Sequence, residues 1–183
     1  MKKNEIFTMD NLRASTFVDK TFATGEGYSE ENQKKAVALP CRGALKKWVK
    51  LILPGYGETV VQCLDVGPYL WWDDDFIYKG KRPLVESYFY NKKHFPSERK
   101  GSRERWDRIS FRGKIPSSRA SVDLTPSVWK DLGVTPEILK NEFNASSYKM
   151  LSVNNMIMEW FVDPKESEVP DWLDTGYEDR FKK

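Results

Sequence analysis

Residues 60–69, VVQCLDVGPY, run through β-branched and aliphatic side chains into an aspartate, then turn through Gly67-Pro68. Carboxylates are poor strand formers, so an acid at a strand's exit either caps a turn or faces a cleft. As a turn residue, Asp65 would bond the amides after Gly67. In a cleft, partial burial beside Tyr69, Trp71 and Trp72 would raise its pKa toward the range useful for acid/base work. Tyr69, Trp71, Trp72 and Tyr78 follow the corner directly and could floor the same groove. Such rings stack on the apolar C–H faces of a pyranose while its hydroxyls seek polar partners, or they simply pack the segment as a private core. Asp123 stands two residues before a Thr-Pro helix start, where an acid gains from unpaired amides and the helix dipole, so it reads as structural support. Asp73, Asp74 and Asp75 match no calcium-loop spacing and read as a solvated acidic run. No metal and no cofactor is expected.

These residues need elements to hold them. Residues 48–66, WVKLILPGYGETVVQCLDV, read as a β-hairpin: two Val/Ile/Leu-rich runs flank Pro-Gly-Tyr-Gly-Glu, with Gly55 and Gly57 able to supply positive φ. Thr125 followed by Pro126 starts a short helix that Gly133 stops, and Thr135-Pro136 starts a second in the same way. NNMIMEWFVD alternates as one more strand. Residues 70–118 read as a long excursion with strand-like pieces FIY and LVESYFY, and the chain beyond Pro164 reads as an acidic, loop-like extension. Strands dominate and helices are short, which predicts a mostly β barrel.

The 183 residues suffice for one domain with a real core, and 39% hydrophobic with 31% charged residues fits a globular chain. No apolar run approaches the roughly 20 residues that span a bilayer. The opening MKKNEIFTMDNLRAS lacks the apolar stretch of a signal peptide, so the chain is expected to be made in a cytoplasm or to be a mature or truncated form of something exported. Cys41 and Cys63 stand at no metal-ligand spacing; they are either two packed thiols, which compartment favours, or a disulfide. Residues 69–111 hold eleven of the 25 aromatics, and residues 92–114 carry nine Lys/Arg against three acids. A net charge of +3, acids mixed into the basic run and the lack of an RNA-binding signature argue against nucleic acid as the partner.

Six segments occur in an order that resembles the RlpA-like double-psi β-barrel family, which includes expansin-type and barwin-type domains. They are RASTF (13–17), FATGEGYS (22–29), ALPCRGALKKWVKL (38–51), VVQCLDVGPY (60–69), ASVDLTPSVWKDLGV (120–134) and MIMEWFVD (156–163). The resemblance implies a six-stranded double-psi β-barrel over residues 1–163, interrupted by the insertion at about 70–118 and followed by an extension over 164–183. It also implies a cell-wall glycan-cleaving activity of the peptidoglycan lytic transglycosylase type.

In that chemistry one carboxyl protonates the leaving oxygen and the sugar's own C6 hydroxyl closes the ring, so a single acid can serve as general acid and then base. Asp65 matches the position for that role, and Glu26 matches the second family carboxylate, which would orient a hydroxyl or stabilise positive charge. Asp123 would lie near the cleft and tune Asp65. Ser29 stands where the family carries an aspartate, and Ala36 or Val37 stands where it carries a histidine; the one histidine, His94, falls in the excursion. The alternative reading is therefore a barrel that binds glycan, or a protein partner, without cleaving it. The expected partner is peptidoglycan or another β-linked glycan. Without a leader, delivery to a wall would need lysis, a phage particle or a dedicated secretion system.

Overall fold

The computed structural model describes residues 5–68, 70, 73–86 and 118–162. Six strands form its body: β1 (Glu5–Thr16), β2 (Val37–Leu39), β3 (Trp48–Leu53), β4 (Gly57–Val66), β5 (Val122–Leu124) and β6 (Val153–Val162). They close into a barrel in the order β1-β5-β2-β4-β3-β6. The β1–β5 and β2–β4 pairs are parallel and the other four antiparallel, so the barrel is mixed. Short helices α1 (Asp74–Lys79), α2 (Pro126–Asp131) and α3 (Pro136–Asn141) decorate it. The molecule is thus mostly β, as its turn-rich, strand-dominated pattern predicts. Among the described residues no helix is long and apolar enough to cross a membrane.

The expected hairpin at 48–66 forms, with Leu53 opposite Gly57 and Trp48 opposite Gln62. Gly55 adopts the positive φ that the turn requires, at +84°. Gly57 is small for a different reason: a Cβ there would sit 2.9 Å from the Leu132 carbonyl oxygen. Val49, Leu51 and Leu53 alternate inward to meet Leu12, Val61, Met156 and Met158 in the barrel core.

Both Thr-Pro helices appear. Thr135 caps α3 by accepting the Ile138 amide at 3.2 Å. Thr125 is diverted: its hydroxyl accepts the Ala36 amide at 3.0 Å and ties α2 to the segment leading into β2.

The strand expected at FIY is a helix instead. Asp73 caps α1 through the Phe76 amide, Asp74 and Asp75 occupy its first turn, Lys79 its last, and Gly80 closes it in the left-handed conformation. Capping and dipole complementarity at both ends outweigh the β-propensity of three residues. Each acid of the run has its own structural partner. Asp73 is buried and also accepts the Leu84 amide at 2.7 Å; Asp74 accepts from the Cys41 thiol at 3.1 Å; Asp75 pairs with Lys79 and Lys81. Of LVESYFY, Leu84–Glu86 are helical and the rest lies outside the described residues, as does the 164–183 extension. Cys41 and Cys63 are buried free thiols.

Candidate functional site

Strict alternation along β4 sends Val61 and Cys63 into the barrel core and would send Asp65 after them. The pairing with β2 prevents it. Val37 lies opposite Cys63 and Ala38 opposite Asp65, so Leu64 is an extra residue in β4. This β-bulge switches the parity of the strand and turns the carboxylate to the outer face; bulges commonly re-aim side chains in this way beside functional sites.

The same register builds a lateral row. Ser15 on β1 is opposite Asp123 on β5, Asp123 is opposite Ala38 on β2, and Ala38 is opposite Asp65 on β4. Two aspartates therefore flank one alanine across three neighbouring strands, with Cα atoms roughly 10 Å apart on strand spacing alone. The methyl group of Ala38 leaves the space between them open, and the row faces a cleft of about 810 Å³, within the usual range for small-molecule sites.

The segment 17–36 forms one wall. Phe17, Phe22, Tyr28, Ala36, Ala38 and Leu64 make a second, smaller core beneath it. Thr24 bonds the bulge residue twice, its amide and its hydroxyl both donating to the Leu64 carbonyl. Ala23 donates its amide to Asp65 Oδ1 at 2.9 Å, and the Val66 amide reaches the same oxygen at 2.9 Å. No described residue donates to Oδ2. Gly27 lets this wall close on itself, since a Cβ there would fall 1.9 Å from the Lys20 carbonyl oxygen.

Burial raises the Asp65 pKa, its two amide bonds pull it back, and Asp19 across the cleft raises it further. Asp123, whose carboxylate accepts the Ser15 hydroxyl, is pushed up to about 6 by burial, against the Ser15 bond and with help from Asp19 and Asp65. Between the ordinary value of 3.8 and about 6, the folded state keeps a proton that the unfolded chain has released. Stability is therefore lost as pH rises through that window. Asp123→Asn, which can still accept from Ser15, is expected to gain roughly 2–3 kcal/mol at pH 7 and almost nothing at pH 4. Urea unfolding at the two pH values reads this directly, and an equal effect at both would show that Asp123 is not held protonated by its surroundings.

Of the residues singled out from sequence, Asp65 and Asp123 line the cleft together. Glu26 is not among its lining residues: it is half-exposed and paired with Lys34 at 2.6 Å. Ser29 is exposed and exchanges hydrogen bonds with Asn32 in a local turn. Tyr78 is likewise not among the lining residues. As part of α1 it packs against Gly43, where a Cβ would meet its hydroxyl at 1.8 Å, and lies under Lys47. Tyr69, Trp71 and Trp72 lie outside the described residues.

Further polar residues line the cleft, among them Arg13, Ser15, Asp19 and Arg42. Arg13 and Ser15 carry a local signal, two polar side chains spaced by two around buried Ala14. Asp19 and Arg42 come from loops and carry none. No protein-family model matches the chain, and no curated protein matches it.

Proposed function

We propose that the cleft is a glycan-binding groove and that the protein is a peptidoglycan-cleaving barrel of the lytic transglycosylase type, as the resemblance to the RlpA-like double-psi family implies. The observation that carries this reading is the placement of Asp65. The bulge delivers it to an open cleft, two amides fix one of its oxygens, and no described residue donates to the other. Burial and Asp19 favour its protonated form, which a donor to a glycosidic oxygen needs. Asp65 is assigned the general acid, then the base that draws the proton from the sugar's C6 hydroxyl as that oxygen closes on the anomeric carbon.

Asp123, on the same row, takes the second carboxylate role in place of Glu26. When ionised it stabilises oxocarbenium-like charge; when protonated it leaves Asp65 the easier of the two to ionise.

Incubation of the protein with purified sacculi, followed by mass spectrometry of the soluble fraction, tests the reading. Anhydro-muropeptides that disappear in Asp65→Asn support it. Ordinary reducing ends would point to hydrolysis instead.

A second reading, a barrel that holds glycan without cleaving it, is favoured by one observation: Glu26 pairs with Lys34 and is not among the residues that line the cleft. Co-sedimentation with sacculi without soluble products, unchanged in Asp65→Asn, would establish it.

A further inference from the structure

The β2–β4 pairing does not by itself fix where Asp65 stands. It passes from Cys63 to Asp65 and leaves Leu64 over, the surplus residue of the bulge. The face that Asp65 takes is settled by burial, because turned inward its carboxyl would stand beside Val61, Cys63 and Leu39 in the barrel core, without water. Burial chooses the face only. It does not set the depth of the carboxyl in the cleft or its angle, and proton transfer is sensitive to both.

Thr24 supplies the missing constraint. Its hydroxyl donates to the Leu64 carbonyl at 3.0 Å and its amide to the same oxygen at 3.3 Å, so two donors meet the two lone pairs of the bulge carbonyl. The preceding amide, that of Ala23, donates to Asp65 Oδ1 at 2.9 Å. Successive residues of the wall thus grip successive residues of β4, the main chain at Leu64 and the carboxyl at Asp65. The Gly25 amide closes a turn on the Phe22 carbonyl at 2.9 Å, and Gly25 takes the positive φ of +88° that this turn needs. Ala23 and Thr24 are therefore carried on one small turn, and what displaces one displaces the other. Thr24 is half-buried and is not among the residues that line the cleft, so it is no contact for a ligand.

Taking Asp65 as the acid and base of the proposed reaction, we infer that Thr24 is its positioning residue: acting through the Leu64 carbonyl, the Thr24 hydroxyl fixes the bulge that presents the carboxyl and keeps the Ala23 amide on Oδ1. Without that hydroxyl the bulge carbonyl keeps only the longer amide bond, and the turn that carries Ala23 slackens. The Ala23 bond favours the ionised carboxyl, so weakening it makes Asp65 hold its proton to higher pH.

The test compares the full chain with Thr24→Val, which removes the hydroxyl and keeps the shape, and Thr24→Ser, which keeps the hydroxyl. One readout is the titration of the Asp65 carboxyl carbon by nuclear magnetic resonance, which needs no turnover. The other is the initial rate on soluble, uncrosslinked peptidoglycan strands. Thr24→Val is expected to raise the Asp65 midpoint and to lower kcat roughly ten- to a hundredfold with KM nearly unchanged. The high-pH limb of the rate should move up with the midpoint, and Thr24→Ser should restore midpoint and rate together. Thermal melting establishes that each variant folds, and Thr24→Ala replaces the valine variant if that one does not.

An Asp65 midpoint equal in the valine variant and the parent overturns the inference, whatever the rates do. A raised midpoint with unchanged kcat overturns it as well, because the position of the carboxyl would then not govern the reaction. If the parent itself releases no products, the cleavage reading fails separately, and the midpoints still decide whether Thr24 holds the carboxyl in place.

Discussion

Asp65→Asn is expected to lower turnover of peptidoglycan strands by about 10²–10⁴-fold, the usual worth of a positioned general acid or base. The substitution isolates chemistry from structure, since asparagine Oδ1 can still accept the Ala23 and Val66 amides that position the aspartate. What it cannot do is release and recapture a proton. The loss should therefore appear in kcat with little change in KM, the signature of an interaction made in the transition state rather than in substrate binding.

The pH profile supplies a second check. Burial and Asp19 raise the Asp65 carboxyl, and Asp123, raised to about 6, is coupled to it, so the two titrate as a pair. The rate should fall at high pH as the proton donor is lost, and Asp123→Asn, by removing one negative charge, should move that limb to lower pH. An Asp65→Asn variant as active as the parent would mean that the aspartate is a turn residue, and the catalytic proposal would fail while the barrel remained.

The largest effect on stability is expected at Trp160. Its side chain is 2% exposed, its indole N–H donates to the Ile77 carbonyl at 2.8 Å, and its ring meets Phe76 edge-on at 5.5 Å and Phe7 at 5.6 Å. One residue of β6 thereby joins β1, β6 and α1. Gly80 completes the joint, since a Cβ there would come within 2.5 Å of the Phe7 ring.

Trp160→Ala removes the ring from a closed site and orphans a buried carbonyl, and should cost about 3–5 kcal/mol. Trp160→Phe keeps most of the apolar contact and loses the hydrogen bond, at about 1–2 kcal/mol. Urea unfolding of the two variants distinguishes packing from hydrogen bonding. A loss below 1 kcal/mol for the alanine variant would show that α1 is not held to the barrel through this residue.

Features that depend on neighbours in the chain could be read without coordinates. The 48–66 hairpin needs only two apolar runs and a glycine-bearing turn. The starts of α2 and α3 need only threonine before proline. The end of β4 at Val66, just past Asp65, follows from Gly67-Pro68. A mostly β chain follows from these together.

Where reading failed locally, at FIY, the deciding chemistry was also local: Asp73 and Gly80 as caps, with acids in the first turn and a lysine in the last. β1 was harder because its alternation is broken twice, between Met9 and Leu12 and between Leu12 and Ala14, with Asn11 at positive φ.

The site followed a different rule. Asp65 was identifiable as a chemically interesting residue, yet parity with Cys63 would have buried it. Its outward orientation depends on an extra residue that exists only relative to β2, more than twenty positions earlier. The meeting of Asp65 with Asp123, and of both with Asp19, Arg13 and Arg42, depends on barrel closure, because strand pairing sets which positions share a row and direction sets which end of the groove each loop reaches. Glu26, an acid between two glycines in a loop, pairs with Lys34 eight residues later, a contact that sequence spacing alone did not specify. Backbone preferences are short-ranged and survive translation into sequence patterns, whereas register and closure are properties of the assembled sheet, and the arrangement of charge in this cleft is set by them.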